Sequence, residues 1–146
     1  MKRLLGDTGP EAVTAAIHHA EAGTSGEIRV HLERRFPRGA APDPLARARE
    51  VFLALGMQRT VRRSGVLIYL AVDDRKLAIL GDQGVHARVG DAYWERLRDL
   101  MVARLRAGRA LDAVLEAVGE VGRVLGEHFP RRPDDTDELP DRLSTS

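Results

Sequence analysis

Residues 65–72 read GVLIYLAV, and this apolar run constrains the fold of the chain more than any other segment. A strand with apolar side chains on both faces has to be covered on both faces, which is typical of a central strand. The turn residues VDDR follow it, and Lys76–Leu80 returns as a second strand. A connection this short predicts an antiparallel hairpin.

Four other segments carry apolar residues at helical spacing and predict helices at 10–22, 44–55, 91–107 and 110–127. The helix at 44–55 is expected to bury Leu45, Ala48, Phe52 and Leu55. It lies in a long crossover between two strands. A right-handed crossover sets those strands parallel. We therefore expect an α/β fold with helices on both faces of a small mixed sheet. The segment Gly81–Asp91 is expected to be a loop.

The first strand is predicted at residues 27–33, where apolar and polar residues alternate. Alternation is typical of a strand with one dry and one wet face. The sequence therefore predicts that the polar face is solvated and that this strand lies near a sheet edge. The residues expected to be solvated are Glu27, Arg29, His31 and Glu33.

Length and composition bound the class of protein. The 146 residues predict one domain at 9–129, followed by a polar, proline-rich tail at 130–146. A net charge of +1 without a polybasic block does not favour nucleic-acid binding. The longest apolar run is far shorter than the roughly 20 residues that span a bilayer, so no membrane insertion is expected. The absence of cysteine fits a cytoplasmic protein, and we expect a monomer.

Several separated motifs, in the right order, resemble the TPM domain family. They are AIHHAEAGTSGEIRVHLE, AREVFLALGMQRTVRRSGVLIYLAVDDRKLAILGDQGV, the following tryptophan helix and the HFP…DELPD ending. Together they run from about Ile17 to Asp141, and a short bacterial subgroup matches best. The chain departs from the family pattern at Ser64, where asparagine is usual, and in the shortened segment GDQGVHARVGD.

The resemblance implies a three-layer α/β/α sandwich that looks Rossmann-like but has no dinucleotide fingerprint. It also implies a cluster of acidic residues that binds calcium or magnesium in some members. Weak acid phosphatase activity is ascribed to the plant branch of the family. The soluble bacterial members are better described as cation-binding proteins.

The predicted topology brings three acidic residues to one edge of the sheet. Parallel first and second strands and an antiparallel third strand place Glu27, Asp82 and Asp91 in converging loops. Carboxylates and turn carbonyls are ligands for Ca²⁺, and Mg²⁺ needs fewer of them, so a weak cation site is predicted here. Asp82 also fits a plain turn, and Asp91 fits a helix cap.

The opposite edge offers an alternative site, because open α/β sheets usually bind ligands at the carboxyl ends of parallel strands. Glu33, Asp73 and Asp74 lie there, and the hairpin turn also accounts for the two aspartates. The sequence does not decide which of the two edges holds the site.

Three functions follow from these observations. The first is a non-enzymatic protein that binds a divalent cation weakly and serves as an accessory to a membrane or envelope protein. The second is a weak metal-dependent phosphatase with an unknown catalytic residue, in which Arg62 or Arg63 neutralises charge. The third is a pure interaction module that uses the acidic tail or the arginine face formed by Arg98, Arg104, Arg106 and Arg109.

Overall fold

A computed structural model of the chain describes residues 6, 8–37, 43–131 and 144–145. The helices are α1 (Gly9–Glu21), α2 (Pro44–Ala54), α3 (Gln83–Val89), α4 (Asp91–Arg106) and α5 (Ala110–His128), with a 3-10 turn at Met57–Arg59. The strands are β1 (Glu27–Glu33), β2 (Gly65–Ala71), β3 (Lys76–Gly81) and β4 (Ser144–Thr145).

The strands form one mixed sheet in the order β3-β2-β1-β4. The parallel register of β1 and β2 runs from Glu27 opposite Gly65 to Glu33 opposite Ala71. β3 is antiparallel to β2, so the predicted crossover and hairpin are both confirmed. β4 lies parallel to β1 beside His31 and Leu32, and it was not predicted.

Helices cover both faces of the sheet, which confirms the α/β/α sandwich. On one face α1, α4 and α5 bury the apolar residues of β1 together with alternate residues of β2 and β3. On the other face α2 packs on the remaining residues of β2 and β3. Each fully buried large side chain stabilises the fold by roughly 1.5–3 kcal/mol. The large side chains buried under α2 are Leu67 and Tyr69, and Ala71 and Ala78 are buried beside them.

The prediction of a wet face on β1 was wrong. All seven residues of β1 are buried, and Arg29 and Glu33 are only 5% and 2% exposed. The polar side chains face the α2 side of the sheet, where groups from other elements bond to them. The alternation of apolar and polar residues therefore does mark the two faces of β1, but both faces lie in the interior of the protein.

Two smaller predictions were also wrong. The segment Gly81–Asp91 is not a loop, because it contains α3. Leu45 is 39% exposed, whereas Ala48 and Phe52 are buried as predicted and Val51 is buried as well. Seven helical residues between glycines are too short to show a clear apolar period, which is why α3 escaped the sequence pattern.

The tail prediction can be compared with the structure only in part. The tail at 130–146 contributes Pro130, which bridges to Thr24, and the two residues of β4. Residues 132–143, which hold the acidic part of the tail, lie outside the described residues. Within the described part of the chain, every helix is too short or too polar to cross a membrane.

Candidate functional site

The sheet edge that carries Glu27 and Asp82 has the predicted topology. Glu27 lies opposite Gly65 in the register of β1 and β2. The backbone N–H of Asp82 donates to the carbonyl of Gly65 at 2.9 Å. Glu27 and Asp82 therefore flank Gly65 on neighbouring strands, as the parallel crossover and the hairpin require.

Asp82 is buried, and both of its carboxylate oxygens accept hydrogen bonds. Oδ2 accepts from Arg63 Nε at 2.8 Å, and Oδ1 accepts from the backbone N–H of Gln83 at 2.7 Å. Asp82 is thus the N-cap of α3 and the partner of a half-exposed arginine. The carboxylate therefore connects the loop before β2 to the first turn of α3.

Asp91 is the first residue of α4, whereas Asp82 precedes α3. The seven residues of α3, a helix of about 10 Å, lie between the two acids in the chain. The side chain of Asp91 is 89% exposed, and its Oδ1 lies 3.5 Å from His86 Nε2. Glu27, by contrast, is 3% exposed.

These placements bear on the predicted cation site. Across the part of the chain that the structure describes, no three histidine, aspartate or glutamate side chains form a group that could hold a metal ion. The residues present do not fit a three-carboxylate site in this arrangement. Calcium or magnesium binding by Glu27, Asp82 and Asp91 stays a prediction.

The motif GDQGV forms the junction between β3 and α3. A Cβ at Gly81 would lie 2.6 Å from Trp94 Cη2, so the indole ring packs directly on this glycine. A Cβ at Gly84 would lie 2.7 Å from the carbonyl oxygen of Arg63, and the Gly84 N–H donates to that same oxygen at 2.9 Å. Neighbouring atoms therefore leave no room for a side chain at either glycine. Val85, the last residue of the motif, is buried in the core.

A groove of about 920 Å³ runs beside β3. Five consecutive residues, Leu77–Gly81, line its floor, which corresponds to about 17 Å of strand. α2 forms one wall and α4 the other. The large side chains on the walls are Leu45, Phe52, Leu53 and Trp94. A volume near 1,000 Å³ lies at the upper end of ligand sites, and this site is open along a strand.

Trp94 forms the aromatic part of the α4 wall. Its Nε1–H donates to His86 Nδ1 at 3.0 Å, and its ring meets Tyr93 edge-on at 5.2 Å between centroids. These contacts fix the ring against Gly81. Trp94 is the single tryptophan of the chain, so its fluorescence reports on this groove.

The opposite edge holds a buried polar cluster that sequence reasoning missed as a unit. Glu33 accepts hydrogen bonds from Arg47, with Nε at 3.2 Å, and from the hydroxyl of Tyr69. His31 Nε2 lies 3.5 Å from the same carboxylate, and its ring stacks on Tyr69. The polar alternation at His31 and Glu33 was the only sequence signal for it.

Burial and hydrogen bonding shift the pKa values of this cluster. Burial raises the pKa of Glu33, but hydrogen bonds from Arg47 and Tyr69 outweigh it and hold the pKa below 4.5. Burial lowers the pKa of His31 below 6.5, although Glu33 opposes that shift. Burial and then Glu33 raise the pKa of Tyr69. At neutral pH the cluster therefore contains a Glu33–Arg47 ion pair beside a neutral histidine.

The other acids of this edge have structural roles. Asp74 Oδ2 accepts a hydrogen bond from the backbone N–H of Phe36. Asp73 is an exposed partner of Arg34 and Arg35, at 3.8 and 4.0 Å. The hairpin interpretation of Asp73 and Asp74 agrees with these contacts.

The arginines that were expected to form one face have different neighbours in the structure. Arg104 Nε donates to Glu116 at 2.8 Å, and Arg109 Nε donates to Asp112 at 2.7 Å. Arg98 lines the β3 groove. These arginines therefore do not form one uniform surface.

Comparisons with known proteins agree with this architecture. The family model for the TPM domain matches residues 2–124. The NMR structure of the BA42 protein from the psychrophilic bacterium Bizionia argentinensis is 37% identical, with a TM-score of 0.86 over 97% of this chain and 95% of that one. A search of curated proteins found no match.

Two more distant structures share the fold alone. The N-terminal domain of a protein from P. gingivalis is 22% identical, with a TM-score of 0.65 over 88% of this chain and 83% of that one. The N-terminal domain of the cg2496 protein from Corynebacterium glutamicum is 16% identical, with a TM-score of 0.61 over 94% and 78% of the two chains.

Proposed function

This protein belongs to the TPM domain family, as its sequence motifs predicted, and we propose that it is a non-enzymatic interaction protein that binds another polypeptide in the β3 groove. The observation that carries the proposal is the position of exposed apolar side chains. Among the described residues, the large hydrophobic side chains that are exposed are Leu45, Leu53 and Val61. Leu45 and Leu53 line the groove. An exposed apolar patch with a polar rim is typical of a protein-binding surface.

The polar groups beside the groove favour binding over catalysis. Asp82 is held by Arg63 and by the first turn of α3, and His86 accepts the indole N–H of Trp94. Asp82 and His86 thus each have a structural partner. A general base or nucleophile needs a partner that activates it toward a substrate. An accessory protein of a membrane or envelope protein is the form of this function that the family resemblance favours.

The test replaces one exposed leucine of the groove. Leu53→Glu should weaken capture of a partner from a cell extract at least roughly tenfold, because a buried leucine contributes about 1.5–3 kcal/mol to an interface. Val61→Glu is the matched control, since Val61 is 88% exposed and does not line the groove. Quantitative mass spectrometry of the retained proteins gives the result. Equal retention by wild type and Leu53→Glu would overturn the proposal.

Weak calcium or magnesium binding is tested separately. An amide-resolved NMR titration should show shifts at 24–27, 60–65 and 81–91 if Glu27, Asp82 and Asp91 bind a cation. Binding at Asp82 has to displace Arg63, so Arg63→Met should strengthen it. Millimolar cation without shifts would remove this role and leave the groove unaffected.

The phosphatase alternative makes its own prediction. A metal-dependent site at this edge requires p-nitrophenyl phosphate to be hydrolysed faster by the wild type than by Asp82→Ala. Arg63, one of the two arginines considered for charge neutralisation, is bonded to Asp82. Equal rates for the two proteins would eliminate a phosphatase at this edge.

A further inference from the structure

The free edge of the sheet lies at β3. β3 is the last strand in the sheet order, and in the described residues no strand pairs with its outer side. The bond from Asp82 N–H to the Gly65 carbonyl marks a hydrogen-bonded pair. In an antiparallel ladder such pairs alternate, so every second residue back from Asp82 bonds to β2. The backbone groups of Leu77, Ile79 and Gly81 therefore aim at the groove.

The groove recesses this edge between two helices. Leu77 and Ile79 are only 5% and 7% exposed, although they belong to an edge strand. In a second copy of the chain, β3 would be recessed in the same way, so the helices would collide before the two strands met. A single extended chain is narrow enough to reach the floor. An edge strand of this kind is a template for strand addition.

The walls carry charged side chains of both signs. Asp82 is bonded to Arg63, Asp43 caps α2 through the N–H of Ala46, and Asp91 lies beside His86. The other charged side chains lining the groove are Arg49 on α2 and Glu95 and Arg98 on α4. For both arginines, the described residues supply no acidic group within ion-pair distance. An occupant with carboxylates on both of its faces complements them.

We infer that a short extended segment of a partner protein adds to the sheet as a strand along β3. Its apolar side chains contact Leu45, Leu53 and Trp94, and its acidic side chains contact Arg49 and Arg98. This inference rests on the proposed function and specifies how the partner binds and which chemistry it carries.

The probe is the synthetic heptapeptide Thr-Val-Glu-Glu-Val-Ile-Thr, in which adjacent glutamates point to opposite walls. Trp94 fluorescence measures its affinity, and amide exchange by NMR locates it. In the free protein the N–H groups of Leu77, Ile79 and Gly81 should exchange faster than those of Ala78 and Leu80. Bound peptide should protect the first three.

Two N-methylated peptides test the mode of binding. One carries methyl groups on the odd-numbered amides and the other on the even-numbered amides, so only one of them blocks the edge that faces β3. Their affinities should differ roughly tenfold or more, because several backbone hydrogen bonds are lost in one case only. Equal affinities would overturn strand addition.

Charge variants test the chemistry of the occupant. Arg49→Glu and Arg98→Glu should each lower the affinity for the acidic peptide by roughly two- to fivefold, as expected for an exposed charge pair. Arg106→Glu, on the exposed surface of the same helix α4, is the matched control and should leave the affinity unchanged. A peptide with glutamine in place of both glutamates should bind the wild type more weakly than the acidic peptide does. Its affinity should be the same for the wild type and for the arginine variants.

The outcomes separate this inference from the proposed function. If the Leu53→Glu variant loses its partner but the two N-methylated peptides bind equally, the groove binds a partner without strand addition. If no peptide protects β3, or if the chain forms dimers that the peptide dissociates, the inference is wrong. If Leu53→Glu retains its partners, the proposed function itself is wrong.

Discussion

Gly81 determines where the α4 wall of the groove stands, because the Trp94 ring occupies the space that any side chain would need. Gly81→Ala should push the ring off the strand and break its bond to His86. We expect a loss of about 1–3 kcal/mol in the free energy of unfolding, the usual cost of overpacking. Urea unfolding and the Trp94 emission spectrum measure both effects.

The control for this substitution is Gly119→Ala on α5. A Cβ at Gly119 meets nothing within 4 Å, and its φ is not in the left-handed region. Alanine in place of glycine inside a helix stabilises by roughly 0.5–1 kcal/mol. If Gly81→Ala were as stable as the wild type, with unchanged emission, the described packing of Trp94 would be wrong.

At the scale of elements, α3 depends on one carboxylate. Asp82→Ala removes both the cap and the partner of Arg63, and it should cost about 1–2 kcal/mol. Asp82→Asn keeps a capping oxygen, so it should cost less than Asp82→Ala even though the charge is lost. Thermal unfolding of the two variants measures the difference, and equal losses would show that the cap contributes nothing.

The same pair of variants separates structure from cation binding. A cation that binds Asp82 needs the charge, so Asp82→Asn should remove cation-induced NMR shifts while leaving α3 folded. Asp82→Ala alone cannot make this distinction, because a lost cap also disturbs residues 83–89.

At the scale of the whole molecule, the buried cluster under α2 makes stability depend on pH. Both His31 and Glu33 have folded pKa values below their ordinary values of 6.5 and 4.5. As the pH falls, these groups therefore bind protons in the unfolded chain before they do so in the folded chain. The free energy of unfolding decreases as a result. The loss should begin below about pH 6.5 and steepen below about 4.5, by at most about 1.4 kcal/mol per pH unit for each group.

Urea midpoints between pH 8 and 4 measure this dependence. Arg29, Arg47 and Tyr69 face the same cluster but keep their protonation over this range. In His31→Gln the slope between pH 6.5 and 4.5 should decrease, while the steeper loss below 4.5 stays. A midpoint that is constant down to pH 4 would contradict the assigned shifts.

The sequence by itself determined most of the fold. The apolar run at 65–72, the hairpin after it and the long helical crossover predict the order and direction of three strands, because these patterns depend on local chemistry and chain connectivity. They also bring Glu27 and Asp82 to one sheet edge. The motifs of the TPM domain predict the same sandwich.

Only the tertiary structure decided how the polar residues are used. The wet face of β1 became a buried cluster because Glu33 finds Arg47 on α2 and Tyr69 on β2, which are 14 and 36 residues away. Asp82 became a cap because Arg63 and Gln83 reach its two oxygens. The β3 groove exists because α2 and α4 lie on opposite faces of a strand that no other described strand covers. Such contacts join residues from separate elements, and no local sequence pattern encodes which of them will meet.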